Sequence, residues 1–242
     1  MTSWDPIDRY FGENPFYGKE VRRGGWVSWI AKGGSWLSLT LLAGGVLVSA
    51  VAAVDGNANA MLTVIGLVLP AYLFVSYASP GFAATCLDSE RESGTLPMTF
   101  LSLIPRRDIL VGLLAARLRP LMHLVGLSLP LMLAGGLLCG AGMVGRGGGG
   151  PELWSVLIGG AIGALTWVTL LLGFLFGASA GAYAAVHAKG TGGAVGTAYG
   201  IVVGLSLGAG MFCSCLYLVA LLVGPAIFWE QALKKLRAED VV

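Results

Sequence analysis

The sequence is short of charge. Asp, Glu, Lys and Arg make up 12% of its 242 residues, where a soluble domain carries about 25%. With 56% hydrophobic residues and a mean hydropathy of +0.79, there is too little polar surface to clothe a water-soluble fold, so lipid is the expected solvent for most of the chain. The net charge of +2 is too small to point to nucleic acid. Cysteine is also sparse: Cys86, Cys139, Cys213 and Cys215 lie in or beside apolar stretches, none in a CxxC pair. They read as small buried hydrophobes, not as a disulfide or metal set.

Catalytic signatures are lacking as well. No Gx4GK[ST] phosphate loop occurs. Lys189-Gly190-Thr191 lacks both the upstream glycine and the required order, so the chain is not expected to hydrolyse nucleotide. Gly177-Ala178-Ser179-Ala180-Gly181 matches GxSxG. However, His187 follows Ser179 on the same helix at a distance of about 12 Å along the axis, beyond the reach a serine–histidine pair needs. Small residues at helical spacing explain the match better. Ionisable groups within apolar runs mark ion or proton routes, and here His123, just past Arg119, stands almost alone. Its expected role is an interfacial or interhelical hydrogen bond. Neither a metal nor a cofactor is expected.

What is present is a series of long apolar runs. A helix crosses a bilayer with about 20 such residues. Trp36–Val54 and Ala60–Leu87 are two runs, a third lies between Arg119 and Arg146, and a fourth is Leu153–Val186. From Gly190 to Trp229 no charge occurs. That length suits a hairpin of two helices turning near Gly208–Ser214, with one long tilted helix as the alternative. The expected fold is an all-α integral membrane protein of six spans. An N-terminal segment (1–34) precedes a transmembrane domain (35–229), and a tail (230–242) follows. With the N-terminus inside, every Lys and Arg except Arg146 falls on the cytoplasmic side, a strong positive-inside bias. Six spans also keep Lys234, Lys235 and Arg237 inside, with both termini cytoplasmic. Trp26, Trp29, Trp36, Trp154 and Trp229 sit near span ends, as an aromatic belt would.

The N-terminal segment opens polar and mixed in charge, unlike a signal peptide. Asn14-Pro15-Phe16 breaks it. Tyr17–Arg23 and Trp26–Ile30, interrupted by Gly24-Gly25, combine cations with aromatics and suit an interfacial helix. Glycines recur every four residues as Gly173, Gly177 and Gly181, and again as Gly192, Gly196, Gly200, Gly204 and Gly208. Such spacing gives a helix a flat face that a neighbouring backbone can approach. Whether that neighbour is in the same chain or in another copy is open.

The most informative stretch is the cytoplasmic loop 88–108. Glu90-Arg91-Glu92 leads into Ser93-Gly94-Thr95, and Thr95 can cap a short helix with Pro97 in its first turn. Leu96, Phe100, Leu103 and Ile104 share one face of that helix, and Pro105 ends it. An amphipathic helix here suits docking in a groove of a soluble partner. Glu90 and Glu92 are expected to hold the loop, pairing with Arg91, Arg106 or Arg107 or capping local amides.

The run from Glu90 to Arg117 resembles the signature of ABC-2-type transporter permeases, the membrane subunits of ABC exporters. Glu90-Arg91-Glu92-Ser93-Gly94-Thr95-Leu96, Leu101, Leu103, Pro105 and Arg106-Arg107-Asp108-Ile109-Leu110-Val111-Gly112 carry the likeness. Asn14-Pro15-Phe16 with Lys19-Glu20-Val21-Arg22 resembles the family's N-terminal segment. Pro97 stands where the family has an acid, and Leu113 where it has a lysine. The resemblance implies a six-span permease in a bacterial inner membrane, paired with a second permease copy or homologue and driven by a separate ABC ATPase. Glu90, Arg91, Glu92, Gly94, Thr95, Leu96, Phe100, Leu103 and Pro105 would form the coupling element. The competing reading is a structural or assembly subunit of a larger membrane complex. It is suggested by the minimal chain, the few polar groups within the spans, the glycine spacing and the two altered motif positions.

Overall fold

The computed structural model describes residues 7, 11, 13–23, 26–55, 73–94, 104–144, 153–188, 190–212 and 214–238, and all regular structure among them is helical. In chain order the helices are α1 (Pro15–Arg23), α2 (Trp26–Asp55), α3 (73–84), α4 (Asp88–Glu92), α5 (Arg106–Val144), α6 (Leu153–His187), α7 (Thr191–Phe212) and α8 (Ser214–Ala238). Within α5 and α6, Arg106–Leu138 and Leu153–His187 are long and apolar enough to cross a membrane.

Local chemistry sets several of these boundaries. Asn14 caps α1: its Oδ1 accepts from the backbone amides of Phe16 at 3.0 Å and Tyr17 at 3.3 Å. Pro15 fills the first helical position, where a missing N–H costs nothing. Gly24-Gly25, where an interruption is expected, lies outside the described residues, between α1 and α2. The helix after it starts at Trp26, earlier than the apolar run alone suggests. α4 ends at Gly94, whose φ of 65° is left-handed. Its amide donates to the Arg91 carbonyl at 3.1 Å, closing the helix in a conformation that glycine adopts at little cost. α5 begins directly after Pro105 and runs on through Pro120 and Pro130, so the basic stretch 106–119 forms its first four turns. The described residues of the stretch 190–229 form two helices, α7 and α8; residue 213, in the expected turn window, lies outside the described residues.

The chain divides into two compact units. One comprises residues 30–75 and 121–171, the other 1–29, 76–120 and 172–242. The 30–75/121–171 unit joins α5 to α6 through backbone contact. A Cβ at Gly136 would sit 2.2 Å from the Gly159 carbonyl oxygen, and one at Gly159 would sit 2.2 Å from that of Gly136. Gly140 and Gly163 stand equally close to the carbonyls of Ser155 and Met132, at 2.3 Å each. Trp167 Nε1 donates across the same pair of helices to the Val125 carbonyl at 2.8 Å.

In the other unit α3 packs on α6 at Gly177 and Gly181. Added Cβ atoms there would meet Ser79 Oγ at 2.1 Å and the Pro80 carbonyl at 2.5 Å. α7 and α8 fold back on one another, Val202 and Leu221 sharing a buried cluster with Phe176 and Ala180 of α6. A second cluster brings Cys86 and Leu87 together with Ile109, Leu110 and Leu113 of α5, Ala185 and Val186 of α6, and Ala232 and Leu236 of α8. Phe16 of α1 and Ile104 pack against it.

Candidate functional site

Several of the motif residues picked out by the sequence meet one another in this unit through charged side chains. Lys19 Nζ on α1 meets Glu90 Oε1 on α4 at 2.7 Å, and the Glu90 side chain is fully buried. One residue along α1, Glu20 Oε1 receives Arg117 Nη2 of α5 at 2.7 Å, here with little exposure on either side. Successive helical positions thus reach two different elements. Tyr17 on α1 is 3% exposed, so this helix commits a face to protein contacts. Buried carboxylates need such partners, because an unpaired one would carry a large desolvation cost.

Asn14 does two jobs. While its oxygen caps α1, its Nδ2 donates to the Asp108 carbonyl at 2.7 Å in the first turn of α5. The space comes from Gly112, where a Cβ would stand 2.4 Å from Asn14 Oδ1. This links two family-like segments that are far apart in sequence: Asn14 needs a residue without a side chain at position 112 of α5.

The two arginines flanking residues 95–103 turn to backbone carbonyls. Arg91 Nη2 donates to the Ala185 carbonyl near the end of α6. Arg106 Nη1 donates to the Leu236 carbonyl near the end of α8. Both helix ends carry carbonyls without intrahelical partners and a partial negative charge, so a guanidinium is well suited there. Asp88 lies beside them. Burial pushes its carboxyl above the usual range, although a Thr191 hydrogen bond and the charges of Arg91 and Arg117 act the other way. Its Oδ1, Arg91 Nη1 and Arg117 Nε are buried without hydrogen-bond partners.

Of the expected coupling residues, Glu90 and Arg91 are pinned in this network, Glu92 and Gly94 are exposed, and Pro105 is exposed at the start of α5. Thr95, Leu96, Phe100 and Leu103 lie outside the described residues, as does the short helix expected there. Glu90 has a partner that was not expected, Lys19, 71 residues away, and Arg91 and Arg106 reach out of the loop to other helices. The missed signal was the scarcity of charge. In a chain with so few ionisable groups, Lys19-Glu20 had to find partners, and Glu90 and Arg117 were among the few available.

The glycines separate into two groups. Gly173, Gly177 and Gly181 are buried, the last two tightly against α3. Gly196, Gly200 and Gly204 are exposed, and an added Cβ there would meet none of the described residues within 4 Å. The closest backbone seam, Gly136, Gly140, Gly159 and Gly163, was not singled out from the sequence. Its signal was present, since both pairs have the same spacing of four. Ser179 is buried and donates to the Phe176 carbonyl of its own helix at 2.9 Å. His187 is exposed and stacks on Tyr183, with ring centroids 4.1 Å apart.

Comparison with known proteins found no matching family model, no matching curated protein and no matching solved structure.

Proposed function

We propose that this chain is the membrane-spanning permease subunit of an ATP-driven ABC exporter, with no catalysis of its own. It would cross the inner membrane six times with both termini cytoplasmic, beside a second permease copy or homologue and a separate ATPase. The observation that carries this reading is the convergence of Asn14, Lys19, Glu20, Glu90, Arg91, Arg106, Gly112 and Arg117. These residues carry the family resemblance, and side-chain contacts or close approaches tie them into one platform around the 88–108 loop. The positive-inside bias and the two membrane-capable helices support the same reading.

In the proposed mechanism, ATP-driven closure of the partner ATPases pushes on the loop, and the platform passes that displacement to the spans. This is coupling between distant sites through an element with two positions. The test is purification of the tagged full chain from its own membranes in mild detergent. Wild type should bring down a soluble protein with a phosphate loop and ATP hydrolysis. Phe100→Ala should reduce that capture roughly thirtyfold, the equivalent of ~2 kcal/mol for an aromatic anchor. Capture of other membrane proteins alone would favour the structural-subunit reading.

A further inference from the structure

We propose that Asp88, Arg91 and Arg117 enclose a binding site for one ordered water molecule, which joins α4 to α5. Asp88 Oδ1, Arg91 Nη1 and Arg117 Nε are all buried, and none has a hydrogen-bond partner among the described residues. The three side chains share one neighbourhood. Asp88 and Arg91 stand one turn apart on α4, a spacing that puts two side chains on the same face. Leu87, beside Asp88, lies in one apolar cluster with Leu113 of α5, one turn before Arg117. Ala185, whose carbonyl Arg91 holds, belongs to the same cluster. The charges of Arg91 and Arg117 both act on the Asp88 carboxyl.

Each side chain is already fixed through its other atoms. Arg91 gives Nη2 to the Ala185 carbonyl, Arg117 gives Nη2 to Glu20 Oε1 at 2.7 Å, and Asp88 has a hydrogen bond with Thr191 at the start of α7. None can swing round to serve its orphaned atom without giving up a buried contact. The chemistry of the three atoms then selects the occupant. A carboxylate oxygen accepts hydrogen bonds, and guanidinium nitrogens only donate them. Water does both, accepting from the two arginines and donating to Asp88. Internal waters make about three such bonds to buried groups that are otherwise unpaired. Charge argues against an ion: Arg117 is balanced by Glu20, and Arg91 by Asp88. An anion would face a carboxylate, and a cation would face two guanidinium groups. The bridge falls where α5 also holds α1 through Arg117 and Glu20. It therefore links α4 and α1 through a single arginine, whatever partner the chain has.

The experiment is proton-detected solid-state NMR on the full chain in lipid bilayers, with isotope-labelled arginine. It reads the transfer of magnetisation from water to each Arg Nε–H, with and without a soluble gadolinium chelate that quenches protons in contact with bulk solvent. Arg117→Lys identifies the Arg117 signal by its loss, and the exposed Arg107 is the control. In wild type, Arg117 Nε–H should receive transfer from water and keep it in the chelate, while Arg107 loses it. Asp88→Asn still offers an acceptor oxygen and should keep the transfer at Arg117. Asp88→Leu puts methyl groups in its place and should abolish it. Absence of transfer to Arg117 in wild type, or quenching together with Arg107, would overturn the site. So would transfer that persists in Asp88→Leu, because the water would then not be held by Asp88. Should Asp88→Leu fail to fold, the wild-type chelate comparison and Asp88→Asn still decide, since loss of transfer in Asp88→Asn contradicts the proposal.

Discussion

The two units of this chain are held by different physics. In the unit of residues 30–75 and 121–171, α5 and α6 meet backbone to backbone through Gly136, Gly140, Gly159 and Gly163. In the other unit, α1, α4 and α5 meet through Lys19–Glu90 and Glu20–Arg117, with arginines reaching to the ends of α6 and α8. The first kind of contact depends on the absence of side chains and gains dispersion and close approach. The second depends on a few directional bonds between buried charges, each costly to break singly. Contacts of the first kind suit a fixed wall. Those of the second can be exchanged as discrete positions, which suits a place where movement has to be passed on.

Substitutions in each region can break or sharpen this contrast. The largest effect should come from Gly159→Leu, which puts a branched side chain where a Cβ already meets the Gly136 carbonyl at 2.2 Å. Overpacking costs ~1–3 kcal/mol and at times more, and here the neighbour is backbone that cannot turn aside. Loss of folded yield or a large fall in melting temperature is expected. A wild-type melting temperature would mean that this seam is not tight.

Next comes Lys19→Ala, which strands the fully buried carboxylate of Glu90. Removing one partner of a buried pair costs ~3–5 kcal/mol. The loss should be smaller here, because Lys19 is 38% exposed and the pair partly screened. The Lys19→Leu/Glu90→Leu double variant should recover most of it, as strong coupling between neighbours requires. Additive losses in the double variant would show that the two residues act separately.

The third comparison sets two glycine series of equal spacing against each other. Gly200→Leu should change the stability of the isolated chain by no more than ~0.5 kcal/mol, because none of the described residues lies within 4 Å of a Cβ there. Gly181→Leu should cost well over that, against Pro80 and Ala83. If Gly200→Leu spares melting temperature but lowers the oligomeric state, the open face belongs to a second copy. If it changes neither, the face meets lipid.

The smallest effect concerns Asp88. Its raised folded-state pKa, caused by burial, means that the folded state holds the proton more tightly than the unfolded one. Stability from this group is therefore complete below the ordinary carboxylate range and is lost as pH rises through the raised value. Asp88→Asn should lift stability modestly at neutral pH and leave it unchanged at acid pH. An equal shift at both would assign the effect to something other than ionisation.

Much of the architecture was legible in the sequence, and the reasons are local. Apolar runs bounded by charges marked the stretches that became α2, α5 and α6. Asn14-Pro15-Phe16 was legible as a break, but its capping of α1 and the left-handed Gly94 after α4 came only from the structure. That 190–229 holds two helices was legible because an uncharged stretch of that length exceeds one span. Partners distant in sequence were not legible. Nothing in the spacing joins Lys19 to Glu90 or Asn14 to Gly112, since these pairings depend on how helices are laid together. The glycines show the same limit: spacing of four marks a flat face but does not name its neighbour, and of the glycines so marked Gly177 and Gly181 pack tightly against described residues while Gly196, Gly200 and Gly204 do not.

The central claim is that the loop between α4 and α5 receives an ATPase. Its most direct test places a photo-activatable phenylalanine analogue at Phe100 of the full chain in its native membrane. Irradiation should give one major adduct, with a soluble protein carrying a phosphate loop. The adduct should weaken when Lys19→Ala loosens α4 and persist in Gly200→Leu. Adducts only with lipid or with other membrane-embedded chains would contradict the account.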